Sequence, residues 1–450
     1  MAVAGFAHYN PRGTGFFSPF QGRHACTCSP RVSFNEKKPL WPVASLVVLT
    51  GLNLLDYLDR QILAAVLPLL RKELSLTYEQ AGTLSTAFML GYFLTAPLFG
   101  YLGDRVPRRW LVAAGVFVWS LGTLMTGHTN VYVSMLCFRA LVGLGEASFG
   151  TISPGWIADL FPAGKRNNAI TIFYFAIPVG SAIGYLAGGW IAVHYGWRAA
   201  FLCAGYPGLL LAGVLFILRE PQRGASEVGG VPLPHGPPPG WRVYRELLGF
   251  RSYVLVVAGY AAQTFAMGAF ALWAPTFLYE VHRMELDAAN FFFSASLAAT
   301  GLVATLAGGF SATAWQKRTG TGYAWTLALS AVFAAPLAFA AFGTANLVLS
   351  KGLLILTMFM LFLATGPVNT LILETVPVRM RASSMAASIF AIHMFGDLWS
   401  PKLVGYLADQ WGDLRRALLW GLPASLVVSA FFWCWLVVET KRKRSASLSS

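Results

Sequence analysis

The sequence has little charge for its length. Only 12% of its 450 residues are Asp, Glu, Lys or Arg, whereas 56% are hydrophobic and the mean hydropathy is +0.58. A soluble globular chain carries about 25% charged residues, so this composition excludes a protein that covers itself with polar surface. Acidic residues are the scarcer sign, with 19 against 33 Lys and Arg, which gives a net charge of +14.

Cysteine and histidine are also rare, at five and seven residues. Cys26 and Cys28 form a lone C-x-C without the second pair that a metal site of this kind needs. The sequence contains no H-E-x-x-H, G-x-S-x-G or P-loop motif. We therefore expect no metal, no cofactor and no enzymatic activity.

Long apolar runs, by contrast, recur along the whole chain. Each is long enough to cross about 30 Å of hydrocarbon, so the sequence predicts an all-α, polytopic membrane protein with twelve transmembrane helices. The predicted spans lie near 42–67, 79–102, 110–127, 131–157, 168–193, 199–218, 252–279, 287–311, 323–342, 347–373, 383–408 and 416–438.

The positive charges lie mostly on one side of these predicted spans. If the N-terminus is cytoplasmic, the tails and the even-to-odd loops hold most of the 33 Lys and Arg residues. This bias is the positive-inside pattern, and it predicts that both termini are cytoplasmic. It also explains the net charge without nucleic acid, which we do not expect as a partner.

A Pro- and Gly-rich stretch from Arg219 to Trp241 divides the chain into two sets of six spans. The halves also echo each other, because Gly184-Tyr-Leu-Ala in the fifth span recurs as Gly405-Tyr-Leu-Ala in the eleventh. Two six-helix bundles related by a repeat are typical of major facilitator transporters. The predicted regions are a disordered cytoplasmic tail (1–40), an N-terminal bundle (41–218), a cytoplasmic linker (219–250), a C-terminal bundle (251–438) and a basic cytoplasmic tail (439–450).

The loop after the second span reads Gly-Tyr-Leu-Gly-Asp-Arg-Val-Pro-Arg-Arg over 100–109. It resembles the superfamily signature G-x-L-x-D-R-x-G-R-R/K, with Pro107 where Gly is usual. The resemblance implies a cytoplasmic gate, and the alternative is a turn that is rich in positive charge facing the membrane. The gate residues would be Gly103, Asp104, Arg105, Arg108 and Arg109.

Longer strings resemble the Spinster family of that superfamily. They include Asn53-Leu-Leu-Asp-Tyr-Leu-Asp-Arg60, Arg139-Ala-Leu-Val-Gly-Leu-Gly-Glu-Ala-Ser148, and Gly396-Asp397 followed by Ser400-Pro401. The resemblance, which runs from about Trp41 to Asp409, implies secondary transport of amphipathic lipids, often proton-driven. Asp56 stands where the family usually has Asn, so this chain carries an additional carboxylate.

Ionisable residues inside the first and fourth spans are the candidate coupling site. A charge at bilayer depth costs roughly 2.5–3.5 kcal/mol on insertion scales, so such residues usually mark an ion or substrate path. Helix geometry places Asp59 in depth between Arg139 and Glu146, which lie two turns apart on one face. We expect Asp59 to carry the proton, with Arg139 and Glu146 as its switch; a static ion-pair cluster is the alternative.

The remaining candidate residues have less specific signals. Arg60 either meets an anionic headgroup or pairs with Asp56 one turn away. An apolar cavity would be lined by Tyr57, Tyr174 and Trp273, although aromatic residues in membrane proteins are more often packing residues. His393 and Asp397 form a secondary polar pair, in which a hydrogen bond orients the eleventh helix; a histidine that titrates near neutral pH is the alternative. Small residues every four positions let helices approach closely, here against the opposite half. These are Gly180, Gly184 and Gly188.

These inferences lead to a carrier with protons, a small amphipathic or anionic solute and membrane lipid as its partners, and we expect a monomer. A general organic-anion or drug carrier and a non-transporting sensor remain alternatives. Short outer loops and missing N-glycosylation sequons favour a bacterial inner membrane over a eukaryotic plasma or endolysosomal membrane.

Overall fold

The structure is a computed structural model that describes residues 41–103, 105–222, 242–377 and 380–449. Within these ranges the regular structure is entirely helical, as the sequence predicts. The tail expected over 1–40, the gate residue Asp104 and most of the Pro- and Gly-rich linker lie outside the described residues.

Fifteen α-helices and one π-helical segment make up the described ranges. They are α1 (Trp41–Leu74), α2 (Tyr78–Gly103), α3 (Arg108–His128), α4 (Tyr132–Leu160), α5 (Ala163–Tyr195), α6 (Trp197–Leu215), α7 (Arg242–Gly249), α8 (Arg251–Glu280), α9 (Leu286–Thr319), α10 (Gly322–Gly343), α11 (Leu347–Leu363), α12 (Thr365–Glu374), α13 (Arg381–Ile392), the π-helical segment (His393–Asp397), α14 (Ser400–Trp411) and α15 (Leu414–Ser449).

Eleven described helical stretches are long and apolar enough to cross a membrane, with α11 and α12 together forming one of them. The predicted span over 383–408 is broken instead into α13, the π-helical segment and α14. The break falls at Gly396, whose backbone angles are non-helical at φ −107° and ψ −105°. Glycine tolerates such angles because it has no Cβ atom.

The helices end where the sequence offers a local stop. Three of the turns begin at Gly196, Gly320 and Gly412, each with a positive φ that glycine adopts without strain. On the N-terminal side, the Asn346 side chain accepts a hydrogen bond from the Leu349 amide and caps α11. These signals fix short connections and hence antiparallel neighbours.

We call the side with loops 75–77, 129–131 and 281–285 the predicted external face, and the opposite side the predicted cytoplasmic face. The largest buried apolar cluster combines residues of both halves near the predicted external face, including Leu67, Tyr185, Trp273 and Phe293. Two further clusters each belong to one half near the predicted cytoplasmic face. The apolar core is therefore continuous between the halves on one side of the molecule and divided on the other.

Candidate functional site

The ionisable residues of α1 and α4 come together in the structure. Asp56, Asp59, Arg139 and Glu146 are at most 4% exposed, although each carries a charge when ionised. The cluster lies between the shared apolar cluster and the level at which the two halves have separate cores. Its position at mid-depth agrees with the helix geometry that the sequence predicted.

Arg60, and not Arg139, is the ion-pair partner of Glu146. Its Nε donates to Glu146 Oε2 at 2.7 Å and lies 3.6 Å from Asp56 Oδ1. The pairing with Asp56, one of the two alternatives for Arg60, is therefore present, whereas the bond to Glu146 was not predicted. One guanidinium thus joins two carboxylates from two helices.

Aromatic rings surround this guanidinium. The Arg60 Cζ atom lies 4.7 Å from the centroid of the Tyr57 ring, 5.3 Å from that of Phe88 and 5.2 Å from that of Tyr92. Arg139 approaches the Phe88 ring as well, at 5.1 Å. The interaction of a desolvated cation with such rings contributes about 2 kcal/mol or more, and this offsets part of the free energy that its desolvation costs.

Asp59 has a different environment from that of the other two acids. The Thr123 hydroxyl of α3 donates to Asp59 Oδ2, while Oδ1 has no hydrogen-bond partner among the described residues. The structure records no ion pair within 4 Å for Asp59 or Arg139 in the described ranges, so the pairing of Arg139 with either carboxylate is not made in this conformation.

The charges of this cluster do not balance when every group is ionised. Three carboxylates (Asp56, Asp59, Glu146) face two guanidinium groups (Arg60, Arg139). Asp59 Oδ1, Glu146 Oε1 and two Arg139 nitrogens are buried without a hydrogen-bond partner among the described residues. A buried, unpaired charge is costly, so this excess of one carboxylate distinguishes the cluster from a balanced set of ion pairs.

The secondary polar pair forms as expected at the break in the predicted eleventh span. His393 Nδ1 lies 3.0 Å from Asp397 Oδ1 and 3.1 Å from Oδ2, so the pair bridges the π-helical segment. A bond between residues four apart holds one turn of an irregular segment closed. The geometry is that of an orienting hydrogen bond.

The described gate residues make contacts within the N-terminal half. Arg108 Nη1 binds Asp159 of α4 at 2.5 Å and the Gly155 carbonyl at 3.3 Å. Glu220 accepts from the backbone amides of Arg108 and Arg109 at 2.8 and 3.3 Å.

The other two described gate residues also stay in this half. Arg105 lies on the Tyr101 ring at 3.5 Å and Gly103 is buried beside Ile152. The loop is therefore anchored to its own half in this conformation.

The three glycines of α5 are packing positions, but their partner is α1. A Cβ atom on Gly180 would collide with the Leu54 carbonyl, and one on Gly184 would lie 2.5 Å from the Leu58 carbonyl. A Cβ on Gly188 would lie 3.2 Å from that of Ala65. The prediction that they pack against the opposite half is wrong, because α1 and α5 belong to the same half.

The candidate cavity aromatics separate in the structure. Tyr174 is 46% exposed on α5 and Tyr57 is half-buried beside Arg60, so both remain accessible. Trp273 is fully buried and donates from Nε1 to the Pro401 carbonyl at 3.0 Å. The prediction that Trp273 lines a cavity is therefore wrong for this conformation, in which its ring packs against that of Tyr78 in the other half, at 5.7 Å between centroids.

An apolar cavity of about 910 Å³ lies against the C-terminal half, toward the predicted cytoplasmic face, and Pro97 of α2 contributes to it from the other half. Its wall includes Pro97 of α2, Tyr244 and Leu248 of α7, Tyr253 of α8 and Phe390 of α13. The short helix α7 reaches this wall because Leu247 is buried in the C-terminal core while Leu248 remains exposed.

A polar contact network at the predicted external face was missed by sequence reasoning. Arg71 Nη1 binds Glu280 Oε1 at 2.7 Å, and the Tyr78 hydroxyl donates to Glu280 Oε2 at 2.7 Å. Asp409 of α14 accepts from the backbone amides of Tyr78 and Glu79 at 2.8 and 2.7 Å. These bonds join α1 and α2 to α8 and α14, that is, the two halves.

Two signals in the sequence point to these missed residues. Thr123, the hydroxyl donor to Asp59, was missed as well; together with Ser120 and Thr126 it forms a series of fully buried hydroxyl residues at intervals of three in α3. Asp409 ends the string Gly-Tyr-Leu-Ala-Asp over 405–409, which resembles Gly-Tyr-Leu-Gly-Asp over 100–104. Arg71 and Glu280 carry no comparable signal.

Comparison with known proteins agrees with this architecture. The family model described as Major Facilitator Superfamily matches residues 49–401. The chain is 32% identical to protein spinster homolog 1 of Homo sapiens over 417 residues, and the alignment covers 86% of this chain and 77% of that protein. The Xenopus laevis homolog 1 is 33% identical over 407 residues, 86% of this chain and 75% of that protein.

Two further relatives complete the comparison. Protein spinster of Drosophila melanogaster is 34% identical over 81% of this chain, which spans only 62% of that longer protein. The crystal structure of a bacterial homolog to the human lysosomal transporter spinster, inward-facing and unoccupied, matches with a TM-score of 0.78 at 24% identity, over 90% of this chain and 96% of that one. At that identity the likeness shows the fold.

Proposed function

We propose a transport function for this chain, which belongs to the major facilitator superfamily and, within it, to the spinster family. It is an integral, multi-pass membrane protein with the fold of alternating-access transporters. The proposed function is proton-coupled transport of amphipathic, lipid-like or organic anionic solutes. A D-xylose–proton symporter shares the fold, with a TM-score of 0.67 at 19% identity.

The uneven buried cluster of α1 and α4 is the observation that carries this proposal. Intramembrane carboxylates that lack balancing charges favour proton uptake, and intramembrane ionisable residues mark ion paths. Asp59 is the proposed proton carrier because it has a hydroxyl donor but no ion pair within 4 Å among the described residues. Arg139 supplies the counter-charge that holds Asp59 ionised after the proton leaves.

Arg60 and Glu146 are the proposed link between the proton and the solute. While Glu146 is ionised, its bond to Arg60 occupies the guanidinium. Protonation of Glu146 weakens that bond and frees Arg60 for an anionic headgroup. Arg60 is 21% exposed, so a ligand has access to it. Asp56 competes for the same guanidinium, and we propose that it is the third acid that adjusts this exchange.

Two separate features support the proposed solute class: the apolar cavity near the predicted cytoplasmic face and the polar groups at mid-depth. The cavity lining of Pro97, Tyr253 and Phe390 suits a hydrocarbon chain, while Arg60 and Tyr57 suit a polar or anionic end. A solute with both parts is amphipathic. Tyr174, which is exposed on α5, is proposed as a further contact.

Orientation and organisation complete the proposal. The positive-inside pattern supports cytoplasmic termini. We further propose two bundles over 41–218 and 251–438, joined by the linker 219–250, working as a monomer. Gly103, Asp104, Arg105, Arg108 and Arg109 are proposed to gate the cytoplasmic face when that face closes.

Flux into proteoliposomes with an imposed pH gradient tests the proposed function. Lysophospholipids, organic acids and amphipathic drugs are compared at equal concentrations, with and without a protonophore. The proposal predicts the largest uptake for lysophospholipids and its loss when the gradient is collapsed. Equal uptake without a gradient contradicts proton coupling, and preference for simple organic acids favours the general anion carrier.

Solute binding without any flux favours the sensor. Binding is measured on the same protein by quenching of intrinsic tryptophan fluorescence. This separates a carrier that fails to couple from a protein that never moves its ligand.

A further inference from the structure

The amino end of α2 is completed by a residue from the other half of the molecule. Thr77 and Gln80 form a capping box, in which the Gln80 amide donates to Thr77 Oγ1 at 3.2 Å and the Thr77 amide donates to Gln80 Oε1 at 3.0 Å. This box satisfies the third helical amide but not the first two, those of Tyr78 and Glu79. Both donate to Asp409, one to each carboxylate oxygen.

The position of Asp409 in its own helix is unfavourable. It lies in the last turn of α14, which ends at Trp411, where the helix dipole disfavours an acidic side chain. At the amino end of α2 the same dipole effect is favourable, and two backbone amides are available as donors. The acid is therefore stabilised by the opposite half and not by its own.

Close approach of the two helices supports this cap. A Cβ atom on Gly405 would collide with the Tyr78 carbonyl, and one on Gly82 would lie 2.8 Å from Lys402 Cα. Lys402 Nζ also lies 3.6 Å from Glu79 Oε1 across the same contact. The glycines let α14 reach the amino end of α2, where Asp409 binds.

We propose that Asp409 is the latch that holds the predicted external face closed, by capping α2 only while the two halves are together. This goes beyond the proposed transport function and requires no particular solute or ion. The string Gly-Tyr-Leu-Ala-Asp over 405–409 resembles Gly-Tyr-Leu-Gly-Asp over 100–104. Similar strings therefore occur near the carboxyl ends of α14 and α2, at the predicted external and cytoplasmic faces.

Spin-label distances across the predicted external face test the latch. The full-length chain, with its native cysteines replaced by Ser, carries labels at Val131→Cys and Val348→Cys. These side chains are 58% and 80% exposed and lie on opposite halves. Distances are measured in nanodiscs without solute, so the result is independent of whether the proposed function is right.

Asp409→Ala removes two hydrogen bonds to a charged acceptor, and the long-distance population should rise roughly tenfold. Asp409→Asn, which keeps one acceptor oxygen, should give a smaller rise. The matched control is Asp413→Ala, because Asp413 accepts from the Arg415 amide within its own half. It should leave the distances unchanged.

The latch is overturned by an unchanged distance distribution in a folded Asp409→Ala protein, or by an equal rise in the Asp413→Ala control. Folding is checked by monodisperse gel filtration. If Asp409→Ala does not fold, Gly405→Ala provides the test. Its Cβ atom pushes α14 away from the Tyr78 carbonyl, so the long-distance population should rise in this variant too. A Gly405→Ala protein with wild-type distances contradicts the proposal.

Discussion

At the residue scale, the partners of each acid distinguish the roles within the cluster. Glu146 accepts from a guanidinium, whereas Asp59 accepts from a hydroxyl. A guanidinium bond holds a carboxylate ionised much more strongly than a neutral hydroxyl does. Asp59, the proposed proton carrier, is therefore the acid of the two that has no guanidinium as a hydrogen-bond donor.

Asp59→Asn should abolish uptake driven by a pH gradient while leaving solute binding within about twofold of wild type, a change below 1.4 kcal/mol. The amide keeps the size of the side chain and an acceptor for Thr123 but cannot exchange a proton. Proteoliposome flux and tryptophan quenching measure the two properties. Asp287→Asn, at a half-buried position in the first turn of α9 and outside the cluster, is the control. Gradient-driven uptake at the wild-type rate in Asp59→Asn refutes the assignment.

The Thr123 hydroxyl should set the pH at which transport responds. Thr123→Val removes a donor that favours the ionised form of Asp59, so the midpoint of the flux–pH curve should move to higher pH. Thr126→Val is the matched control, because the fully buried Thr126 donates to the Gly122 carbonyl of its own helix. Equal midpoints for the two variants would show that the Asp59–Thr123 bond does not influence coupling.

At the element scale, the tight contact of α1 and α5 is the feature most sensitive to volume. Gly184 faces the Leu58 carbonyl and the Gln61 Cβ, so a new methyl group has no space. Backbone atoms cannot rotate away as a side chain does. The helices must move apart, and dispersion contacts along the stripe are lost.

Gly184→Ala should therefore destabilise the protein by about 1–3 kcal/mol, the usual range for overpacking. Thermal unfolding in detergent, followed by tryptophan fluorescence, measures the loss. Gly213→Ala in α6 is the control, because nothing lies within 4 Å of its Cβ position. It should be neutral or stabilising, since Ala is the better helix former. A melting temperature for Gly184→Ala at or above that of the control contradicts the packing role.

Helix existence could be predicted from sequence because apolar runs of membrane length are unambiguous. The break at Gly396 could not, since it depends on how α13 and α14 pack around one glycine. The members of the buried cluster were predicted from their charge at mid-depth. Their pairing was not, because rotation of Arg60 toward Glu146 depends on the position of α2 aromatics such as Phe88 and Tyr92.

At the scale of the whole molecule, polar and apolar contacts join the halves near the predicted external face. Asn290 donates to the Ala65 carbonyl at 3.0 Å, Ser294 to Ala182 at 2.8 Å and Tyr185 to Ala271 at 2.8 Å. Each bond crosses between helices of different halves. Separation of the halves at this face must break each of these bonds, so we expect the two halves to move as units.

A cross-link on this face should stop transport. Glu79→Cys and Lys402→Cys, in a background without native cysteines, replace a pair whose charged atoms are 3.6 Å apart. Oxidation should reduce flux to the background level, and a reductant should restore it, because the halves can no longer separate. Each single-cysteine variant under the same oxidant is the control. Full flux in the oxidised and verified double variant contradicts alternating access at this face.

The unequal numbers of acids and guanidinium groups at mid-depth have an electrical consequence. With every group ionised the cluster carries one negative charge, and a single bound proton makes it neutral. The membrane potential acts on charge that moves through the bilayer, at about 2.3 kcal/mol per elementary charge and 100 mV. Under the proposed proton coupling, the empty carrier returns with the cluster deprotonated and negatively charged, so we expect the rate of that return step to depend on the membrane potential.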